Sequence, residues 1–304
     1  MPAPIKVIVD TDIGEDIDDI LATAFALRSP ELVVAAITTV DGDTEGRSRI
    51  ARKLLAVMGS SEIPVAAGYQ HSMPRTDLIY PPGTAVRQGE VAPGEEGLPA
   101  AAALRADELI ARQAAQYPGE ITVVTIGSMT NVAMALVRYP ETAANIRGIV
   151  TNGGQFSGRP VEIGWNLRYD PIAAVVVASS GVPWTLLPEN TTRFAGLRAE
   201  EEQRLRQVDT PLARLLTQAI DAWRRNKADA TPTPHLSDLN VFAYLLGWVK
   251  TRRGRAILTT VPGGLAGLDV QDDPEGPHLL GEEIPPEQGA ALRELWMRRI
   301  MGLW

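Results

Sequence analysis

Ten residues, Asp10–Asp19 (DTDIGEDIDD), hold five aspartates and one glutamate. Carboxylates packed this densely repel one another and resist desolvation unless a cation neutralises them. Every donor is a hard oxygen, with no His or Cys in the run, and this favours Ca²⁺ or Mg²⁺ over zinc. A blander reading makes the run an acidic loop that caps the next helix, because aspartate is a good N-cap and negative charge suits a helix N-terminus. Capping accounts for one or two of these residues. It leaves Asp10 and Asp12, at the end of an apolar run, unexplained.

The elements that must position these groups follow from hydrophobic pattern. Ile5–Val9 is a short β-branched run that reads as a buried strand ending at Asp10. ILATAFAL, directly after Asp18 and Asp19, reads as a helix, and Leu32–Val40 as a second strand. The alternation continues with a helix over Arg47–Met58 and a strand near Pro64–Ala67. Residues 68–98 form a Gly/Pro-rich loop, long enough to predict a functional role. A helix is expected over Pro99–Gln116, a strand over Ile121–Ile126 and a helix over Met129–Arg138. A strand ends at Ile149 and Val150, followed by a helix over Pro171–Ser179 and a strand over Trp184–Leu187. Beyond residue 195 the pattern turns helical over 198–208, 211–226, 238–250 and 287–302, with short strands and turns across 255–286. The expected fold is α/β: an open, mostly parallel sheet flanked by helices, a Rossmann-like core, with a helical C-terminal portion. One domain over residues 1–304 is expected, since no repeat or low-complexity linker divides the chain. In such sheets ligands bind beyond the carboxyl ends of the strands, which is where the aspartate run falls.

An ordered series of motifs resembles the inosine–uridine-preferring nucleoside hydrolase family. That family opens with a strand, an Asp-x-Asp-x-Gly turn and an Asp-Asp pair that starts a helix. AAITTVDGD (35–43), IPVAAG (63–68) and ITVVTIGSMTNVAMAL (121–136) resemble its next strands and loops. GGQFSG (153–158) and WNLRYDPIAA (165–174) resemble its substrate loop and following helix, and SDLNVFAYL (237–245) its late metal aspartate. The resemblance covers about residues 5–250. It implies a nucleoside hydrolase fold and a hydrolase that cleaves the N-glycosidic bond of ribonucleosides with a metal-activated water.

By position, the resemblance makes Asp12, Asp19, Asp238 and the Ile126 carbonyl the metal ligands. Asp12 would also orient or deprotonate the attacking water. Asp18 and Asn166 would bind the ribose, and Asp10 would brace the turn. This chemistry suits the residue types. Glycosidic cleavage passes through an oxocarbenium-like sugar that carboxylates stabilise, and a metal-bound water has a lowered pKa.

The chain departs from the family pattern around sugar and base. Its acidic turn is two residues longer, which brings in Asp16. Asp18 and Asp19 keep the pair's roles if helix phase decides; in the other register Asp16 replaces one of them. Asp43 stands where an asparagine is frequent near the ribose, and Asn152 where a methionine is common. Gly164 replaces a frequent glutamate, a part that Glu162 could take from a shifted loop. The residue before Asp238 is Ser237 and the long loop carries Gln88, both places where family members often put a general-acid histidine. Of the three histidines, His71, His235 and His278, His235 lies near enough to the late aspartate to serve as that acid. Trp165 and Trp223 are candidates for base contact, with core packing the better reading for Trp223.

Composition narrows the alternatives. A net charge of -8 with no basic run argues against nucleic-acid binding. The absence of cysteine removes disulfides, thiolate metal sites and cysteine nucleophiles. No apolar stretch approaches a membrane span, and the N-terminus does not read as a signal peptide, so a soluble cytoplasmic protein is expected; the resemblance would add a role in purine or pyrimidine salvage. Family membership would imply a homo-oligomer, dimer or tetramer. Three readings compete with the N-ribohydrolase: a hydrolase of a non-nucleoside N-riboside, a non-catalytic metal-dependent ribose- or nucleoside-binding protein, and a haloacid-dehalogenase-type phosphatase. The last expects a Thr or Val shortly after the second Asp, where this chain has Ile13-Gly14.

Overall fold

The computed structural model describes residues 3–73, 88–153, 164–192, 195–225, 232–261 and 265–303. Strand β1 (Ile5–Thr11) leads through the acidic turn into helix α1 (Asp18–Leu27), then β2 (Leu32–Thr39), α2 (Thr44–Met58) and β3 (Val65–Ala67). Next come α3 (Ala106–Gln116), β4 (Ile121–Thr125), α4 (Thr130–Arg138), the short α5 (Thr142–Asn145) and β5 (Ile146–Asn152). The short α6 (Trp165–Tyr169), α7 (Pro171–Ser179) and β6 (Trp184–Leu187) complete the alternating part. The rest comprises α8 (Ala199–Gln207), α9 (Pro211–Arg225), α10 (Leu239–Leu245), β7 (Thr251–Val261), β8 (Leu265–Asp272), β9 (His278–Gly281) and α11 (Pro286–Met301).

The strands form one sheet in the order β3-β2-β1-β4-β5-β6-β9-β7-β8. Pairing is parallel from β3 through β9, and β7 joins antiparallel to both β9 and β8. The central strands are buried on both faces, which explains their unbroken Val/Ile composition. Alternate residues feed opposite cores. Val7 and Val9 pack with Phe25, Leu54, Phe242 and Trp296 on one side, while Ile8 packs with Ile110, Val123, Val132 and Trp184 on the other. Chain order reverses between β1 and β4, so the crevice beyond their carboxyl ends is the sheet's switch point. The aspartate turn leaves β1 there.

The expected α/β architecture is the observed one, with differences at several elements. The helix expected from Pro99 begins only at Ala106. Arg52 holds the Pro99 carbonyl at 2.9 Å and Ala102 N–H donates to the Val65 carbonyl at 2.8 Å, so tertiary contacts overrule the alanine-rich sequence. The helix expected over 238–250 stops at Leu245, because Gly247 takes a left-handed φ of 81°. The stretch 255–286, expected as short strands, includes most of a long hairpin of 11 and 8 residues in continuous register. Its Ile, Thr and Val content favours extended chain.

Candidate functional site

The acidic turn is shaped by one glycine and one arginine. Gly14 adopts φ 110°, a conformation that L side chains rarely take, and so reverses the chain after Asp12. Arg47 of α2, fully buried, donates through Nη1 to the carbonyls of Asp12 and Ile13 and through Nε to that of Asp41 at 2.7 Å. Its Nη2 lies 3.5 Å from Glu15. Opposite, Ile126 N–H donates to the Asp10 carbonyl at 2.8 Å, which locks the end of β4 beside the end of β1. A Cβ at Gly127 would meet the Asp12 backbone nitrogen at 2.9 Å, so only glycine allows this approach.

A cavity of about 340 Å³ opens at this switch point. It is lined by Asp12, Glu15, Asp16, Asp18, Asp19, Ile126, Asn152, Trp165, Asn166, Glu189, His235, Ser237 and Asp238. Oxygens of Asp18, Asp19 and Asp238 lie within 4.8 Å of one another, spacing that one metal ion could bridge. Asp12 lines the same cavity, and its charge acts on both Asp19 and Asp238. Among the described residues, Asp12, Asp19 and Asp238 do not by themselves form a group of that spacing. Thr11 Oγ1 donates to Asp19 Oδ1, and Asn152 Nδ2 donates to Asp238 Oδ1 at 2.5 Å. Asn166 Nδ2 donates to the Ile126 carbonyl at 2.8 Å and to the Asn152 carbonyl at 3.2 Å.

Burial dominates the electrostatics. It pushes Asp12 up to about 6, with Arg47 opposing and Glu15 and Asp18 adding to the rise. Desolvation, reinforced by neighbouring carboxylates, holds Asp19 and Asp238 well above the ordinary range. Asp10 accepts from Thr38 at 2.6 Å and Asn131 at 2.7 Å, yet burial still lifts it to about 7. The donor set is therefore starved of positive charge, the condition a hard divalent cation relieves. The residues fit such an ion.

His235 lies on the cavity's outer side. Its Nε2 is 3.0 Å from Asp16 Oδ1, and its Nδ1 is 3.0 Å from Ser237 Oγ and 3.3 Å from Asp18 Oδ2. Asp18 above all, with Asp16, pushes its pKa up to about 11 against the cost of burial. Trp165 lines the rim, stacked on Tyr169 at 6.2 Å with Arg168 over its ring at 5.5 Å.

Other sequence expectations fall elsewhere. Asp43 lies outside the cavity: it is the exposed N-cap of α2 and accepts from Gly46 N–H at 2.9 Å, because the helix begins directly after it. Asn152 lines the cavity, but its amide is spent on Asp238 and its Oδ1 accepts from Asn240 at 2.8 Å. Glu162 lies outside the described residues. Trp223 is core and meets His235 edge-on at 6.1 Å. His278 packs against Trp184 in the sheet, and His71 lines a different cavity. Sequence reasoning missed Arg47, Glu15 and Glu189. Arg47 had a signal: it lies on the apolar stripe of α2 with Ile50 and Leu54, where a charge needs buried partners. Glu189 had a weaker one, its place just beyond β6.

A sequence model of the family described as inosine-uridine preferring nucleoside hydrolase matches residues 7–276. A probable uridine nucleosidase 2 of Arabidopsis thaliana is 33% identical over 233 residues, 72% of this chain and 69% of that protein. A pyrimidine-specific ribonucleoside hydrolase of Citrobacter koseri is 32% identical over 222 residues, 71% of this chain and 70% of that one. A solved plant nucleoside hydrolase superposes with a TM-score of 0.77 at 26% identity, covering 98% of this chain and 99% of its own.

Proposed function

Because the chain belongs to the inosine-uridine preferring nucleoside hydrolase family, we propose that it hydrolyses the N-glycosidic bond of ribonucleosides with the help of a divalent cation, Ca²⁺ first and Mg²⁺ second. The observation that carries this reading is that Asp12, Asp18, Asp19, Asn166, His235 and Asp238, from distant parts of the chain, line one cavity at the switch point of the sheet.

Asp12, Asp19, Asp238 and the Ile126 carbonyl would hold the cation. Asp18 shares the tight group with Asp19 and Asp238, which suits a carboxylate placed between cation and sugar. When bound, the ion would supply charge neutralisation and Lewis acidity toward water and sugar hydroxyls. Asp12 takes the proton of the attacking water. Asp18 and Asn166 orient the ribose hydroxyls, and the surrounding carboxylates stabilise positive charge on the sugar. His235 gives its proton to the departing base, and Trp165 offers a ring face beside it. A histidine in the cavity, placed beside Asp16 and Asp18, favours turnover over the non-catalytic ribose-binding alternative.

The test is release of ribose from a panel of ribonucleosides by chelated protein, with and without added Ca²⁺ or Mg²⁺. Restored turnover is expected with the ion. No ribose from any nucleoside with Ca²⁺ present would sink the activity, and full turnover after exhaustive chelation would sink the metal. No helix among the described residues is long and apolar enough to cross a membrane. A cytoplasmic salvage role and a dimer or tetramer belong to the same proposal, and light scattering tests the assembly.

A further inference from the structure

We propose that Asp16, the carboxylate added by the longer turn, is a positioning residue that holds His235 toward the leaving base. This rests on His235 as the proton donor. Asp16 Oδ1 lies 3.0 Å from His235 Nε2, while Nδ1 faces Ser237 Oγ at 3.0 Å and Asp18 Oδ2 at 3.3 Å. Asp16 thus holds one ring nitrogen and turns the other toward Asp18, the carboxylate placed on the sugar. Trp223 backs the ring edge-on at 6.1 Å. Asp16 is itself anchored. Its side chain accepts from Ile17 N–H at 2.8 Å, and its carbonyl accepts from Gln88 Nε2 at 2.5 Å. Gln88, fully buried, also donates its N–H to the Gly14 carbonyl at 2.9 Å. The His235 and Asp16 side chains are 41% and 39% exposed, and a pair so exposed adds little stability. Its consequence is orientation.

In the step served, the C1′–N bond breaks and its electron pair goes to the base, which takes a proton from His235 Nδ1. Water adds its hydroxyl to C1′ and gives its other proton to Asp12. Asp12 releases that proton to solvent and solvent returns one to His235, so the sum is nucleoside plus water to ribose plus base.

The test compares uridine and inosine with 4-nitrophenyl β-ribofuranoside, whose nitrophenolate leaves without protonation. Asp16→Ala should lower the nucleoside-to-nitrophenyl kcat ratio by about tenfold or more, with KM for nucleosides little moved. His235→Ala should lower it by about a hundredfold, and the double variant should match His235→Ala. A variant that folds incompletely loses both rates together and leaves the ratio intact, so the readout survives a stability defect. Equal loss on both substrates in Asp16→Ala, with His235→Ala still selective, overturns the role of Asp16 alone. An unchanged ratio in His235→Ala removes the proton donor and this inference with it, while ribose release in the wild-type chain would leave the hydrolase reading standing.

Discussion

The floor and the rim of the cavity are built differently. The floor consists of Asp18, Asp19, Asn152, Asn166 and Asp238, all buried at or just beyond strand and helix ends. Asp19 is 3% exposed, whereas Trp165 on the rim is 38% exposed. Floor groups are hydrogen-bonded to neighbours, Asp19 to Thr11 and Asp238 to Asn152, while Asp16 and His235 of the rim lie outside the helices and strands. A charge-dense floor needs rigid backbone to keep its carboxylates together against repulsion, and a rim can vary without disturbing that.

The contrast can be broken at its strongest point first. Asp238→Ala on the floor should lower kcat/KM by roughly a thousandfold, and Ca²⁺ binding measured by calorimetry should weaken in parallel. Retained activity would show the floor is not the centre. Arg47→Met, beneath the turn, should cost about 3 kcal/mol in urea unfolding, because it strips three backbone carbonyls and Glu15 of their buried partner. A neutral effect would mean that Gly14 alone shapes the turn.

The carboxylates at and beneath the floor should also show in pH dependence. Asp10 and Asp12 stand at about 7 and about 6 in the folded chain, above their ordinary 3.8. The folded protein therefore binds more protons than the unfolded chain between about pH 4 and 7, and the chelated protein should lose stability as pH rises through that window. Ca²⁺ should raise the melting temperature more at about pH 7.5 than at about pH 5. An equal shift at both would refute the account of a charge-starved floor. The smallest effect is expected on the rim: Trp165→Ala should raise KM by up to about tenfold with kcat little changed. A large fall in kcat would move Trp165 from the rim to the reacting centre.

Much of the fold was legible because it is local. Strand β1, the start of α1 at Asp18, and helices α8, α9 and α11 follow from periodicity and end signals read over a few residues. The start of α3 was not, because Arg52 and the Val65 carbonyl bind the chain that precedes it. The site divides the same way. That an acidic turn stands at the end of β1 is written in DTDIGEDIDD itself, and adjacent carboxylates are costly to bury unless a cation neutralises them. Which partner each of these residues meets was decided only by tertiary structure. Asp16 meets a histidine 219 positions away, Asp43 turns to its own helix, and Arg47 grips the turn from α2. Side-chain direction after a turn depends on backbone angles such as those of Gly14 and on partners brought in by the sheet, and no local pattern encodes those contacts.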